Sequence, residues 1–220
     1  MTRVLEPELL DELPANDARA IHSRRDLRRI NALMGNARYM ARFIEQFLPG
    51  RRELRVAEIG AGDGNISLKL ARVLPINELI LVDRNPTEPT SKDGLVIRVE
   101  RSEVFDWLKN APHVDVIVAN LFLHHFQDEA LRDLLALCAA RCDCFVAGEP
   151  RRNAFAVWLA KRVGWIGGNE ITRHDAVISV RAGFTDNELT SLWPKNADYW
   201  TVSEFTIGHI SHFFGAARRI

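Results

Sequence analysis

The 220-residue sequence has no excess of either charge and no long apolar run. Lysine and arginine together number 29, as do aspartate and glutamate, so the formal net charge at pH 7 is zero. A protein that binds nucleic acid non-specifically is expected to carry a basic excess, so we predict no nucleic-acid partner. No stretch approaches the roughly 18 apolar residues of a membrane span, and none is predicted.

Cysteine is scarce and odd in number. Cys138, Cys142 and Cys144 are the three thiols, and the last two would face the same side of a predicted strand. A metal pair is conceivable there, but no His or Cys cluster completes it, so we expect buried, reduced thiols and no metal. The N-terminus is acidic and interrupted by Pro7, unlike a signal peptide, and a cytoplasmic location is predicted.

The length suits one domain, or one domain with a helical cap. Residues 1–50 are predicted to be helical, since apolar residues in 27–48 recur at intervals of three and four. Beyond them strands and helices alternate, which predicts an α/β fold with a parallel sheet and helices on both faces. Predicted strands are 56–60, 78–83, 95–99, 114–121, 144–148, 199–207 and 210–216. Predicted helices are 66–74, 103–109, 128–140, 153–163 and 186–193.

The most informative segment is 55–67, in which an apolar run ends near Glu58 and three glycines follow at alternate positions. These are Gly60, Gly62 and Gly64. Glycine permits a tight turn and close approach of the backbone to a ligand, and the next helix offers unpaired N–H groups. A dinucleotide-binding loop would need its third glycine at position 65, where this chain has Asn65.

The order acid, any residue, Gly-x-Gly-x-Gly resembles motif I of the class I S-adenosylmethionine-dependent methyltransferases, with Ala61 between the first two glycines. The element order over about 50–218 resembles that family too. The resemblance implies a Rossmann-like seven-stranded sheet whose antiparallel last strand inserts between the fifth and sixth. It also implies an N-terminal helical cap (1–50), a cofactor-binding domain (51–220) and S-adenosyl-L-methionine as cofactor.

Further cofactor contacts follow from the same resemblance. Asp83 ends the second strand, where the family places an acid that accepts hydrogen bonds from the ribose hydroxyls. Arg84 would stack on the adenine, and Ser102 or Glu103 would approach its amino group. Asn120 ends the fourth strand, beside the methionine portion of the cofactor.

Candidate catalytic bases are histidines, the usual bases at neutral pH. His124 and His125 follow the fourth strand, at the edge where parallel sheets bind ligands. His174, beside Asp175, is predicted to lie in a substrate lid, and Glu149 is a weaker candidate. Possible acceptor contacts come from the N-terminal helices and from one later arginine: Asn31, Met34, Tyr39, Phe43 and Arg181.

The predicted reaction is methyl transfer to a small molecule, with O-methylation of a phenol, quinone or polyketide-like hydroxyl first and C-methylation next. Alternatives are a non-catalytic S-adenosylmethionine-binding protein and an NAD-dependent oxidoreductase. An RNA methyltransferase is disfavoured by the zero net charge, and Leu121 after Asn120 departs from the Asn-Pro-Pro-Tyr signature of nucleobase N-methylation. The chain is expected to be a monomer or a homodimer, and the sequence does not distinguish them.

Overall fold

The computed structural model describes residues 1–14, 17–87, 89, 94–194 and 199–219, apart from the side chains at 11, 165 and 166. The helices are α1 (Leu9–Glu12), α2 (Ala18–Met34), α3 (Asn36–Phe47), α4 (Asn65–Leu70), α5 (Val104–Asn110), α6 (Asp128–Arg141), α7 (Ala154–Ala160), α8 (Glu170–Ala182) and α9 (Glu188–Leu192). The strands are β1 (Leu54–Ile59), β2 (Ile76–Asp83), β3 (Val96–Arg101), β4 (Val114–Asn120), β5 (Cys142–Pro150), β6 (Trp200–Ile207) and β7 (Ser211–Arg218). Short 3₁₀ turns span Leu123–His125 and Val163–Ile166.

The strands form one seven-stranded sheet in the order β3-β2-β1-β4-β5-β7-β6. The pairs among β1 to β5 are parallel, and β7 is antiparallel to both β5 and β6. The predicted insertion of the last strand between the fifth and sixth is therefore confirmed. The strand order reverses between β1 and β4, and the crevice at such a reversal is where open α/β sheets bind ligands.

Two apolar layers cover the sheet, because neighbouring strand residues face opposite sides. Val116 and Val118 of β4 belong to the layer that contains α3 and α4. Ile117 and Ala119 belong to the layer that contains α5, α6 and α9. Strands buried on both faces explain the continuous apolar runs of the sequence.

The structure differs from the sequence prediction in two regions. The pattern over 27–48 is broken at Gly35, whose φ of 70° ends α2 and begins α3, as left-handed glycines commonly do. The region around His174, predicted as a lid, is helix α8. The side chain of Asn169 accepts a hydrogen bond from the Thr172 N–H and caps it.

Helix α3 is built into the core. Met40, Phe43 and Ile44 are buried against the sheet, and Gly148 and Gly215 leave them room. A Cβ on Gly215 would lie 2.1 Å from the Phe43 ring, and one on Gly148 would lie 2.9 Å from Met40. The domain boundary at residue 50 stays a prediction.

The three thiols are buried, and none forms a disulfide. Burial raises the pKa of Cys138 and Cys142 well above the usual range and that of Cys144 to about 12, so these thiols stay protonated near neutral pH. Among the described residues, no helix is long and apolar enough to cross a membrane.

Candidate functional site

The three glycines after β1 have different roles although all have positive φ. A Cβ on Gly60 would lie 2.2 Å from the Phe122 ring, and one on Gly64 would lie 2.6 Å from Leu81. A Cβ on Gly62 would meet nothing within 4 Å. Gly60 and Gly64 thus allow the loop to pack tightly on the protein, whereas Gly62 leaves its backbone open to a ligand.

Asp83 and Glu58 border this loop from the ends of β2 and β1. Asp83 Oδ2 accepts the Gly62 N–H at 2.9 Å, and Oδ1 accepts the Asn85 N–H at 2.7 Å. These bonds fix the carboxylate, and each oxygen keeps a lone pair for a further donor. Glu58 Oε2 accepts the Ser67 N–H at 3.1 Å. Burial raises the pKa of Glu58 to about 7, so it gains its charge near neutrality.

These groups line a crevice of about 770 Å³, which lies at the carboxyl ends of the parallel strands. The predicted residues that line it are Asn31, Glu58, Gly60, Ala61, Gly62, Asp83, Arg84, Ser102, Glu103, Asn120, His124 and His125. Gly64, Met34, Tyr39, Phe43, His174 and Arg181 are not among the lining residues. One crevice therefore collects most predicted cofactor contacts and two of the three predicted bases.

The predicted acceptor contacts outside the crevice have structural roles instead. Met34 is buried, and its carbonyl accepts a hydrogen bond from the Ser211 hydroxyl. Tyr39 packs on the Phe213 ring, with centroids 5.3 Å apart. The carbonyl of Arg181 accepts the Val4 N–H. Except for Asn31, these residues do not line the crevice, because helical periodicity does not tell which buried residues border one. Their contact with an acceptor stays a prediction.

Asn120 joins β4 to the N-terminal helices. Its amide oxygen accepts from Asn36 Nδ2 at 2.6 Å, and its own Nδ2 donates to Asn31 Oδ1 at 3.0 Å. Asn36 Nδ2 also lies 3.1 Å from Asn31 Oδ1. The three amides hold α2 and α3 against the end of β4, and they place Asn31 in the crevice.

A second group of side chains, here termed the histidine wall, consists of Glu8, His124, His125 and Glu149. Glu149 is fully buried, and its Oε1 accepts the N–H groups of Phe122 and Leu123. Its Oε2 lies 2.7 Å from His124 Nδ1. The other ring nitrogen of His124 lies 3.3 Å from Glu8 Oε1.

The charges of the histidine wall depend on one another. Burial favours neutral His124, but the hydrogen bond and charge of Glu149, with those of Glu8, outweigh it and raise the pKa of His124 to about 9. Burial also disfavours ionised Glu8, yet hydrogen bonding and charge from His124 lower its pKa to about 2. His124 is thus an imidazolium held between two carboxylates, and in this state it cannot accept a proton.

His174 does not reach the crevice. Its side chain is 48% exposed, and its Nδ1 lies 3.0 Å from Asp175 Oδ1. The Asp175 carboxylate accepts the N–H groups of Leu9 and Leu10 and so anchors the start of α1. The prediction of a catalytic His174 is not supported, because the helix that carries it turns the side chain to solvent.

Part of the N-terminal segment lines the crevice as well: Leu5, Glu6, Pro7, Glu8, Leu10, Glu12 and Leu13. Sequence analysis missed this segment because its contacts span the chain: Glu8 and His124 are 116 residues apart. No local pattern signals such a pairing.

Arg28, which also lines the crevice, binds Asp63 of the glycine loop with its Nη1 3.0 Å from Oδ2.

Comparison with known proteins agrees with this geometry. The model of a family described as "Methyltransferase domain" matches residues 14–148, more than half of the chain. The chain belongs to this methyltransferase family. None of the curated proteins matches it. The fold and the enzyme class predicted from the glycine loop are therefore confirmed.

Solved structures share the fold at low sequence identity. The plantazolicin methyltransferase BpumL, in complex with a triazolic desmethylPZN analog and S-adenosylhomocysteine, is 11% identical with a TM-score of 0.71. That match covers 96% of this chain and 93% of BpumL. The magnesium protoporphyrin IX methyltransferase ChlM from Synechocystis PCC 6803, with bound S-adenosylmethionine, is 10% identical with a TM-score of 0.53. Here 96% of this chain and 88% of ChlM are covered.

The crevice fits S-adenosyl-L-methionine, the predicted cofactor, which the methyltransferase family confirms. The space beside the Gly62 backbone is open, and a Cβ at this position would take up part of it. Asp83 suits the ribose hydroxyls, and Glu58 provides a negative charge for a cationic ligand. No lysine lies in the loop, as expected for a cofactor without phosphate.

Proposed function

We propose that the chain transfers a methyl group from S-adenosyl-L-methionine to a hydroxyl of a small molecule. The favoured acceptor is a phenol, a quinone or a polyketide-like compound. Methylation of a carbon atom, in place of the hydroxyl, is the second choice. One observation carries the proposal. The open backbone of Gly62, the carboxylates of Glu58 and Asp83, and the histidines of the histidine wall line the same crevice.

Different residues of the crevice would bind the cofactor and remove the proton of the acceptor. The cofactor would be held by Glu58, Gly62 and Asp83, and when bound it supplies a methyl group on a positively charged sulfur. A hydroxyl acceptor must lose its proton and face that methyl group in line. In the histidine wall, His125 is the group we assign to remove this proton, since His124 is already protonated.

The lining of the crevice supports an uncharged organic acceptor. Apolar side chains contribute to the lining of the crevice: Leu5, Leu10, Leu13, Leu27, Phe122, Phe126 and Ile178. Glu6, Glu8 and Glu12 disfavour a phosphorylated ligand, consistent with the expectation that nucleic acid is not the substrate. The solved relatives are named for plantazolicin and magnesium protoporphyrin IX, which supports an organic molecule as the acceptor.

Calorimetry and methyl-transfer assays test this function. We expect S-adenosylmethionine to bind and NAD not to bind, and we expect methylation in a screen of phenols and hydroxyquinones. His125→Ala should lower kcat by roughly 100-fold, the scale of lost acid–base help, without loss of cofactor binding. His174→Ala, outside the crevice, should retain activity. Preferential binding of NAD, or full activity of His125→Ala, would contradict the proposal.

A further inference from the structure

Among the described residues, the crevice contains a set of side chains that can bind a metal ion. One ligand atom from each of Glu8, His124 and His125 lies within 4.8 Å of the other two. Two imidazoles and one carboxylate form a donor set of borderline softness, which suits Zn²⁺ and similar first-row divalent ions rather than Mg²⁺. We propose that this cluster is a Zn²⁺-type metal site.

The hydrogen bonds of His124 orient it as a metal ligand. In protein metal sites, a ligating imidazole commonly donates its other N–H to a carboxylate, which sets the tautomer and the ring orientation. Glu149 Oε2 lies 2.7 Å from Nδ1 of His124, which leaves Nε2 directed towards Glu8. Zn²⁺ would displace the Nε2 proton of the imidazolium to solvent, and the ring would keep its Nδ1–H for Glu149. Glu149 is itself fixed, since its Oε1 accepts two backbone N–H groups. Glu149 is thus a positioning residue.

The two histidines come from one rigid turn. Leu123–His125 is a 3₁₀ turn directly after β4, and the rings of His124 and His125 stack with centroids 4.4 Å apart. Glu8 arrives from the opposite side and is held by the Ser179 hydroxyl. Zn²⁺ requires its donor atoms at about 2.0–2.2 Å, and the 3.3 Å between His124 Nε2 and Glu8 Oε1 is compatible with two ligands of one ion.

The position of the metal site would allow the ion to bind the methyl acceptor. All three ligands line the crevice, so a fourth coordination position would face the acceptor, as in catalytic zinc sites with three protein ligands. An acceptor hydroxyl that coordinates there would lose its proton to solvent more easily, because a bound dication stabilises the oxyanion. With the ion bound, His125 would act as a ligand, and the ion in place of the free imidazole would promote loss of the proton. This use rests on the proposed function, whereas metal binding does not.

Metal binding can be measured on the full chain without cofactor or acceptor. Titration with Zn²⁺ by calorimetry, and with Co²⁺ by visible absorption, should show one ion per chain, and Mg²⁺ should not compete. Glu8→Gln and His125→Ala should each weaken Zn²⁺ binding by more than about 10-fold. Glu149→Gln should weaken it by about 10- to 100-fold, the effect of lost support for a ligand.

The matched control is His113→Ala, which removes a surface histidine whose Nε2 lies 3.5 Å from Asp143. This variant should bind Zn²⁺ like the parent chain. Failure of the parent chain to bind Zn²⁺ would overturn the proposal. Equal binding by the parent, Glu8→Gln and His125→Ala would overturn it too. Absence of methyl transfer with Zn²⁺ binding intact would instead contradict only the proposed function.

Discussion

Glu58 shows how one residue can trade stability for ligand binding. Its carboxyl is almost fully buried, and burial holds its pKa at about 7, against 4.5 for an ordinary glutamate. Because folding raises this pKa, the neutral acid favours the folded state below pH 4.5, and that benefit is lost as the pH rises through 7. Bound cofactor reverses the balance, since its positive charge favours ionised Glu58.

We therefore predict that Glu58→Gln stabilises the ligand-free chain at pH 8 by on the order of 2 to 3 kcal/mol, with a much smaller effect near pH 5. The same change should weaken S-adenosylmethionine binding, because a neutral amide replaces the carboxylate. Urea denaturation at both pH values and calorimetry measure the two effects. Glu45→Gln, on the exposed side of α3, is the control and should change neither. A stability difference independent of pH would contradict the prediction.

Individual site residues could be predicted from the sequence where their chemistry depends on the spacing of neighbouring residues. The acid-glycine pattern predicted Glu58 and Gly62 because strand, turn and helix follow directly from neighbouring residues, and the family resemblance that this pattern supports implied Asp83. It did not separate Gly62 from Gly64, since that difference depends on Leu81 packing against the loop. The role of Glu8 needed the tertiary fold, because no local pattern links positions 8 and 124.

Among the elements, the N-terminal segment is attached to the crevice through Arg3. The side chain of Arg3 is largely buried and donates to Ala182 O at 2.8 Å, Asp128 Oδ1 at 2.7 Å and Phe126 O at 2.9 Å. Its guanidinium also lies 4.6 Å from the centroid of the Phe184 ring. These contacts hold residues 1–14 over the crevice and so keep Glu8 beside His124.

Arg3→Ala should release this segment and cost about 2 kcal/mol of stability, the scale of a hydrogen bond to a charged group. Hydrogen exchange of the Leu9 and Leu10 amides, which donate to Asp175, should become faster. Arg19→Ala is the control, because Arg19 is exposed and pairs with neighbouring Asp17. Unchanged exchange at Leu9 and Leu10 in Arg3→Ala would show that other contacts hold the segment.

Helix α8 was not predicted, although its sequence contains the features of a helix. Helix α8 buries Ile171, Asp175, Ile178 and Ala182, a helical spacing, and Asn169 is a good N-cap. The glycines of 164–168 suggested a loop and concealed this pattern. The strands were predicted more completely, because apolar runs bounded by turn residues identify buried strands without tertiary information.

For the whole molecule, the question is which part of residues 1–50 belongs to the fold. The segment before α2 lines the crevice, whereas α3 inserts Met40, Phe43 and Ile44 into the core of the sheet. Burial of each such side chain contributes roughly 1.5 to 3 kcal/mol. Their sum is comparable to the total stability of a domain, about 5 to 15 kcal/mol.

Two truncations should therefore behave differently. A chain that starts at Asp17 should fold and bind S-adenosylmethionine, since Glu58, Gly62 and Asp83 are retained. It should lose methyl transfer because the N-terminal residues that line the crevice, Glu8 among them, are gone. A chain that starts at residue 51 should not fold, because Gly148 and Gly215 would face a cavity where α3 had packed. Circular dichroism melting and calorimetry measure both results. Cooperative melting of the 51–220 fragment would instead establish the first fifty residues as a separable cap.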